Sequence, residues 1–167
     1  MAGALIVTAE LGPEDFGWLE RLRRQHYPAD RNQVPAHLTI FRALPPSAEA
    51  ETRSRLAYVS KAPPPRASID GVTDLGGGVA FRVVSPELDR IRSDLAESLH
   101  GLLSAQDSGG WRPHITIQNK VPAKTARALK TALEQDIHPR SLKISALGMY
   151  RYANGPWERI ATFPFRA

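Results

Sequence analysis

Two four-residue phrases carry the chemistry of this sequence. His37-Leu38-Thr39-Ile40 and His114-Ile115-Thr116-Ile117 each hold a His, an aliphatic residue, a Thr and a second aliphatic residue, 77 positions apart. Imidazole is the side chain that gives and takes a proton near neutral pH. Two of them facing one cleft, one neutral and one protonated, can supply general base and general acid to opposite sides of a phosphorus atom. Thr39 and Thr116 follow two residues on, where their hydroxyls can donate to the non-bridging phosphate oxygens that carry transition-state charge. Two His without a carboxylate or Cys at ligand spacing make a poor zinc or magnesium set. The expectation is chemistry with no metal and no cofactor.

Strand alternation would set these rows on a common surface. It places His37, Thr39 and Phe41 on one face and Leu38 and Ile40 on the other. The second copy places His114, Thr116, Gln118 and Lys120 on one face, and Ile115 and Ile117 behind. Pro45 and Pro122 each lie eight residues after their His, so both strands are expected to turn into a helix at the same distance. A lone His-x-Thr is an ordinary strand sequence. Its repetition in matched context argues for a shared site. Lys120 is the expected phosphate helper. Phe41 and Tyr150 are candidates for base stacking or the cleft rim. Arg42, Trp111, Arg112 and Trp157 lie near the motifs or in the closing hairpin, and each is more simply a core or rim residue.

The rest of the chain supplies the elements that hold the two strands. Residues 4–9 read as a short buried strand. Pro13, Glu14 and Asp15 open a helix with Phe16, Leu19, Leu22 and His26 at helical spacing. A second helix is expected over about 47–60, ended by the triple proline at 63–65. "ASIDGVTDL", "GGG" and "VAFRVV" read as a hairpin. Ser85-Pro86-Glu87 starts a helix whose stripe is Leu88, Ile91, Leu95, Leu99 and Leu102. "SAQDSGG" reads as a loop with the composition to move. Pro122 opens a helix with Ala126, Leu129, Leu133 and Ile137 inward. Asn154-Gly155 marks a closing hairpin. His26, His100 and His138 receive no chemical role. The order βαβαββαβαββ is that of an α+β protein with a hint of internal duplication, and the length suits one domain, or two small lobes sharing a core.

Composition narrows the classes further. The 167 residues contain no Cys, which excludes disulfides, cysteine metal sites and thiol nucleophiles. The net charge of +5 is compatible with an anionic partner such as RNA or a nucleotide. The glycines lack the GxxxxGK[ST] spacing of a phosphate loop, and no GxSxG elbow is present. The N-terminal apolar run is too short for a signal peptide, and no segment has the length of a membrane span. The expectation is a soluble, cytoplasmic monomer.

Paired His-x-Thr-hydrophobic motifs, one per half of a small α+β chain, resemble those of the 2H phosphoesterase superfamily. The nearest branch looks like the bacterial 2′-5′ RNA ligase / RNA 2′,3′-cyclic phosphodiesterase proteins. The resemblance spans essentially the whole chain, including the first strand and the closing hairpin "ALGMYRYANGPWERIATFPF". It implies a bilobal fold with pseudo-two-fold symmetry, a single domain over 1–167 made of two pseudo-symmetric lobes, in which antiparallel sheets backed by helices line a central cleft. It implies His37 and His114 as the catalytic pair, Thr39 and Thr116 as phosphate ligands, and RNA ends or small cyclic nucleotides as substrates. By the same resemblance His114 would activate water and His37 would protonate the leaving ribose oxygen. The alternative is a module that binds RNA or nucleotides in the same cleft without turnover.

Overall fold

The computed structural model describes residues 3–136 and 138–166. Among these residues, seven strands and five helices follow the expected alternation. The first half comprises β1 (Ala4–Leu11), α1 (Pro13–His26), β2 (Leu38–Leu44), a 3₁₀ turn (Pro46–Ala48) and α2 (Glu49–Val59). The hairpin β3 (Arg66–Asp74) and β4 (Val79–Val84) follows, then α3 (Pro86–Ser98), α4 (Ala105–Ser108) and β5 (His114–Gln118). The chain closes with α5 (Ala123–Asp136), β6 (Arg140–Tyr152) and β7 (Glu158–Pro164).

The strands pair antiparallel throughout, in the order β2-β1-β6-β3-β4-β5 with β7 also on β6. The thirteen-residue β6 is what joins the two expected sheets. Its first residues, Arg140–Lys143, pair with β3, while Ile144–Tyr152 pairs with β1 and residues 146–151 also pair with β7. The motif strands β2 and β5 are therefore the two ends of the strand path, brought back into contact with each other by the curl of the sheet. Helix α1 packs on β5, α3 on β3, and α5 on β3 and β4.

One core runs through both halves. Leu5, Val7, Ala9, Leu38, Ile40, Ile115, Ile117 and Leu147 are all buried within it. Each such Leu or Ile stabilises the fold by about 1.5–3 kcal/mol relative to an exposed one. The aliphatic rows behind both His-Thr rows thus anchor the motif strands, as alternation requires.

Several expectations change. Helix α3 ends at Ser98, so Leu102 leaves the stripe and stands exposed. The segment expected as a loop contains α4, one short turn capped by the Ser104 hydroxyl, which accepts from the Asp107 N–H at 3.1 Å. Ile137, expected inward on α5, lies outside the described residues. The β6–β7 connection is longer than a two-residue turn, with Asn154 in the left-handed region at φ 64. At the β3–β4 turn, Gly78 allows close approach: a Cβ there would fall 1.9 Å from the Gln118 carbonyl oxygen. That contact holds the end of β5 against the hairpin.

Candidate active site

The two motif strands share an irregularity that alternation alone does not predict. In β2, Thr39 pairs with Thr8 but Phe41 pairs with Val7, so two residues of β2 face one step of β1. In β5, Thr116 pairs with Ala80 and Gln118 with Val79, the same two-for-one step. Each is a β-bulge, a device that re-aims side chains. Each falls at the same offset from its His. The consequence is that Phe41 and Gln118 rotate inward, 0% and 3% exposed.

Phe41 is therefore not on the His37 face. Its ring sits in the core with the Arg92 guanidinium carbon 4.7 Å from its centroid, and it is withdrawn as a stacking surface. Gln118 leaves the His114 row for the same reason. In their places Arg42 and Asn119 line the cleft. Lys120 does not line it. It is exposed, in the left-handed region at φ 64, with its N–H donating to Asn119 Oδ1 at 2.9 Å.

The structure brings His37, Thr39, His114 and Thr116 to one cleft of about 390 Å³. The two histidines are held alike. His37 Nδ1 lies 2.8 Å from the Pro35 carbonyl oxygen, and His114 Nδ1 lies 2.8 Å from the Arg112 carbonyl oxygen. A carbonyl can only accept, so each Nδ1 carries a proton and each Nε2 is left for exchange. The threonines are held alike too, through their backbones. Trp111 Nε1 donates to the Thr39 carbonyl at 3.2 Å, and Arg23 Nη1 donates to the Thr116 carbonyl at 2.8 Å. Each motif is thereby tied to a side chain from the other half of the chain.

The electrostatics of the two histidines differ. His37 lies against Trp157, ring centroids 4.7 Å apart and tilted by 57°. Desolvation pushes its proton affinity down to about 4. The Pro35 carbonyl opposes this, Arg23 reinforces it, Glu10 opposes and His114 reinforces. Burial therefore keeps His37 in its neutral form at pH 7.

Trp157 also touches Tyr150, centroids 5.7 Å apart. His37 and Trp157 also line a second cavity of about 470 Å³, together with Leu11, Phe16, Pro35 and the polar wall of Glu10, Tyr150 and Arg159. Glu10 accepts from Thr8 Oγ1, from the Tyr150 hydroxyl and from Arg159 Nη1. Burial, with the Glu10 bond next, holds the Tyr150 phenol well above its usual range. Tyr150 therefore lines this adjoining cavity, which has His37 and Trp157 in common with the His-Thr cleft.

Sequence reasoning missed Arg23, Gln106, Asn119 and Tyr152, all of which line the cleft. Only Arg23 left a signal. It falls four residues after Leu19 on the buried face of α1, where a charged residue needs a reason. Asp107, 4% exposed on α4, accepts from the Arg42 and Ala43 N–H groups at 2.8 and 2.9 Å and so braces the bulged end of β2. Among the described residues no cluster of three or more His, Cys, Asp or Glu could hold a metal ion, and no helix is long and apolar enough to cross a membrane.

This architecture is shared with solved structures. TT0787 of Thermus thermophilus superposes with a TM-score of 0.68 at 17% identity, covering 98% of each chain. E. coli LigT complexed with NADP+ gives 0.63 at 17% identity over 99% of each chain. LigT complexed with 3′-AMP gives 0.62 at 16% identity over 100% of each chain. At such identities the likeness speaks for the fold. No curated protein matches the chain significantly. The family itself comes from the sequence. The model of the 2′-5′ RNA ligase superfamily matches residues 11–156, a span that takes in both His-x-Thr strands and most of the sheet holding them, and the chain belongs to that superfamily.

Proposed function

We propose that this chain is a metal-independent phosphodiesterase that opens 2′,3′-cyclic phosphates of RNA ends or nucleotides to 2′-phosphates. The observation that carries the reading is the pair of bulged His-x-Thr strands on one cleft, each histidine with its Nδ1 proton committed to a backbone carbonyl. Superfamily membership supports it. So do the nucleotides held in the LigT complexes, NADP+ and 3′-AMP, which are ligands of that protein.

The chemistry balances without a further reactant. One neutral imidazole takes a proton from water as its oxygen bonds to phosphorus. The P–O3′ bond breaks, and the second histidine, protonated, gives its proton to O3′. The Thr39 and Thr116 hydroxyls donate to the non-bridging oxygens. We assign the base role to His114 and the acid role to His37. Because burial keeps His37 neutral at pH 7, its proton arrives with the substrate: the phosphodiester anion raises its proton affinity on binding. With a 5′-hydroxyl in place of water as the nucleophile, the same displacement of O3′ would form a 2′-5′ linkage. The adjoining cavity has room for the nucleoside part of the substrate.

The test is hydrolysis of a 2′,3′-cyclic nucleotide and of a short RNA with a cyclic end, in excess EDTA. Wild type should turn over both, and His37→Ala and His114→Ala should each lose about 10²–10⁴-fold in kcat. Activity abolished by EDTA, or surviving both substitutions, would overturn the proposal.

A further inference from the structure

We infer that Arg23 is a positioning residue that locks the two motif strands together and sets the spacing of their histidines. Its side chain is 3% exposed, in a fold with ample apolar residues for that place. A buried guanidinium without geometric purpose is readily replaced by a hydrophobic side chain. Here the planar fork is used at both ends. Nη1 donates to the Thr116 carbonyl of β5 at 2.8 Å. Nη2 donates to the Val34 carbonyl at 2.8 Å and to Asn32 Oδ1 at 2.9 Å. Val34 directly precedes Pro35, whose carbonyl orients His37. One side chain of α1 therefore grips the backbone of the second motif's threonine and the peptide next to the one that fixes the first motif's histidine.

A lysine cannot replace it. Its single ammonium lacks the rigid fork that reaches two carbonyls on separate segments. Packing reinforces the placement: the guanidinium carbon lies 4.5 Å from the Tyr27 ring centroid. Arg23 lines the same cleft as both histidines, so its charge acts there as well. The charged or titratable groups around His37 are Glu10 from β1, Arg23 from α1 and His114 from β5, with Tyr150 and Arg159 in the adjoining cavity. Arg42 from β2 is a second cation lining the cleft, and Arg23 is the one that is buried and bonded to the backbone of both motif segments.

The experiment compares Arg23→Met and Arg23→Lys with wild type. It reads the NMR titrations of the His37 and His114 rings, the contacts of each ring with its neighbours in the cleft, and kcat and KM on a 2′,3′-cyclic nucleotide. In Arg23→Met we expect the His37 midpoint to rise from about 4 and the ring contacts to change. We expect kcat to fall about 10–100-fold with KM within about 3-fold. Arg23→Lys keeps the charge, so the His37 midpoint stays low while the loss in kcat remains. Unchanged ring contacts in a folded Arg23→Met chain, or full kcat in Arg23→Lys, overturns the inference. Should Arg23→Met fail to fold, Arg23→Lys and Asn32→Ala decide it by the same readings. The turnover arm rests on the phosphodiesterase reading. The titration and ring contacts do not, so a chain inactive on every cyclic phosphate still decides whether Arg23 positions the rings.

Discussion

The two half-sites are alike in backbone and unlike in environment. His37 and His114 each give the Nδ1 proton to the carbonyl two residues back. Phe41 and Gln118 are turned inward by matching bulges. Thr39 and Thr116 each lend a carbonyl to a side chain from the opposite half, Trp111 in one case and Arg23 in the other. Around this common frame the first half adds a cover. Trp157 lies on His37, and no ring stacks on His114 among the described residues. Acid–base pairs need two similar groups in dissimilar surroundings. Here a repeated scaffold provides the similarity, and the closing hairpin, which belongs to neither copy of the motif, provides the difference.

The comparison breaks most severely where the rings themselves are removed, as in the histidine substitutions proposed above. The threonines come next. Thr39→Val and Thr116→Val keep the shape and β-preference of the strand while deleting one donor each. We expect losses of about 10–100-fold in kcat, with thermal stability nearly unchanged. Equal losses would show that the two donors act as a symmetric pair. A loss confined to one would show that the phosphate leans to that side.

Trp157→Ala sharpens the difference between the histidines. Removing the indole admits water to His37, and its midpoint should rise from about 4 towards 6.5. The sign for stability follows. A histidine binds its proton more readily in the unfolded chain than at His37, so the folded state loses stability as pH falls from about 6.5 to about 4. The variant should lose less than wild type across that window, measured as the difference in melting temperature between the two pH values. A companion measurement is the proton uptake on binding a phosphate analogue at pH 7, by calorimetry in buffers of different ionisation enthalpy. Uptake supports His37 as the acid. Its absence, with an activity profile falling only near pH 4, reverses the two roles.

The bulges are braced differently, and this predicts a stability asymmetry. Asp107 holds the Arg42 and Ala43 N–H groups of the first. Asp107→Ala leaves these donors without their carboxylate and should cost about 1–3 kcal/mol, read as a shift in denaturation midpoint. Hydrogen exchange should quicken at Arg42 and Ala43 and stay unchanged in β5.

Much of this molecule is legible as sequence because periodicity reports burial. The aliphatic rows of β2 and β5 and the helices opened at Pro13 and Pro86 all stand where spacing places them. The bulges are not legible. Alternation says nothing about a register step, because that step is set by pairing with β1 and β4, which lie far away in sequence. Alternation misplaces Phe41 and Lys120 for this one reason. Arg23 is hidden for another: its partners are the carbonyls of Val34 and Thr116, and a backbone carbonyl carries no residue identity. The cover on His37 is hidden because Trp157 reaches it across a hairpin loop rather than along a strand.

The smallest expected effect lies at the far end of the second bulge. Past it the chain must turn from β5 into α5, and it does so through Lys120 at φ 64, with the Val121 N–H returning to the Gly77 carbonyl at 3.0 Å. That conformation costs a residue with a Cβ about 1 kcal/mol, and glycine adopts it freely. Lys120→Gly should therefore raise stability by about 0.5–1 kcal/mol, read by chemical denaturation, and leave kcat and KM on a cyclic nucleotide within about 2-fold. Asn119→Ala, one residue earlier and on the cleft, should raise KM by more than that. If Lys120→Gly were the variant that weakened substrate binding, the lysine would have to swing back over the cleft when phosphate enters. The second half-site would then carry a cation of its own, one residue beyond the position that Arg42 holds in the first.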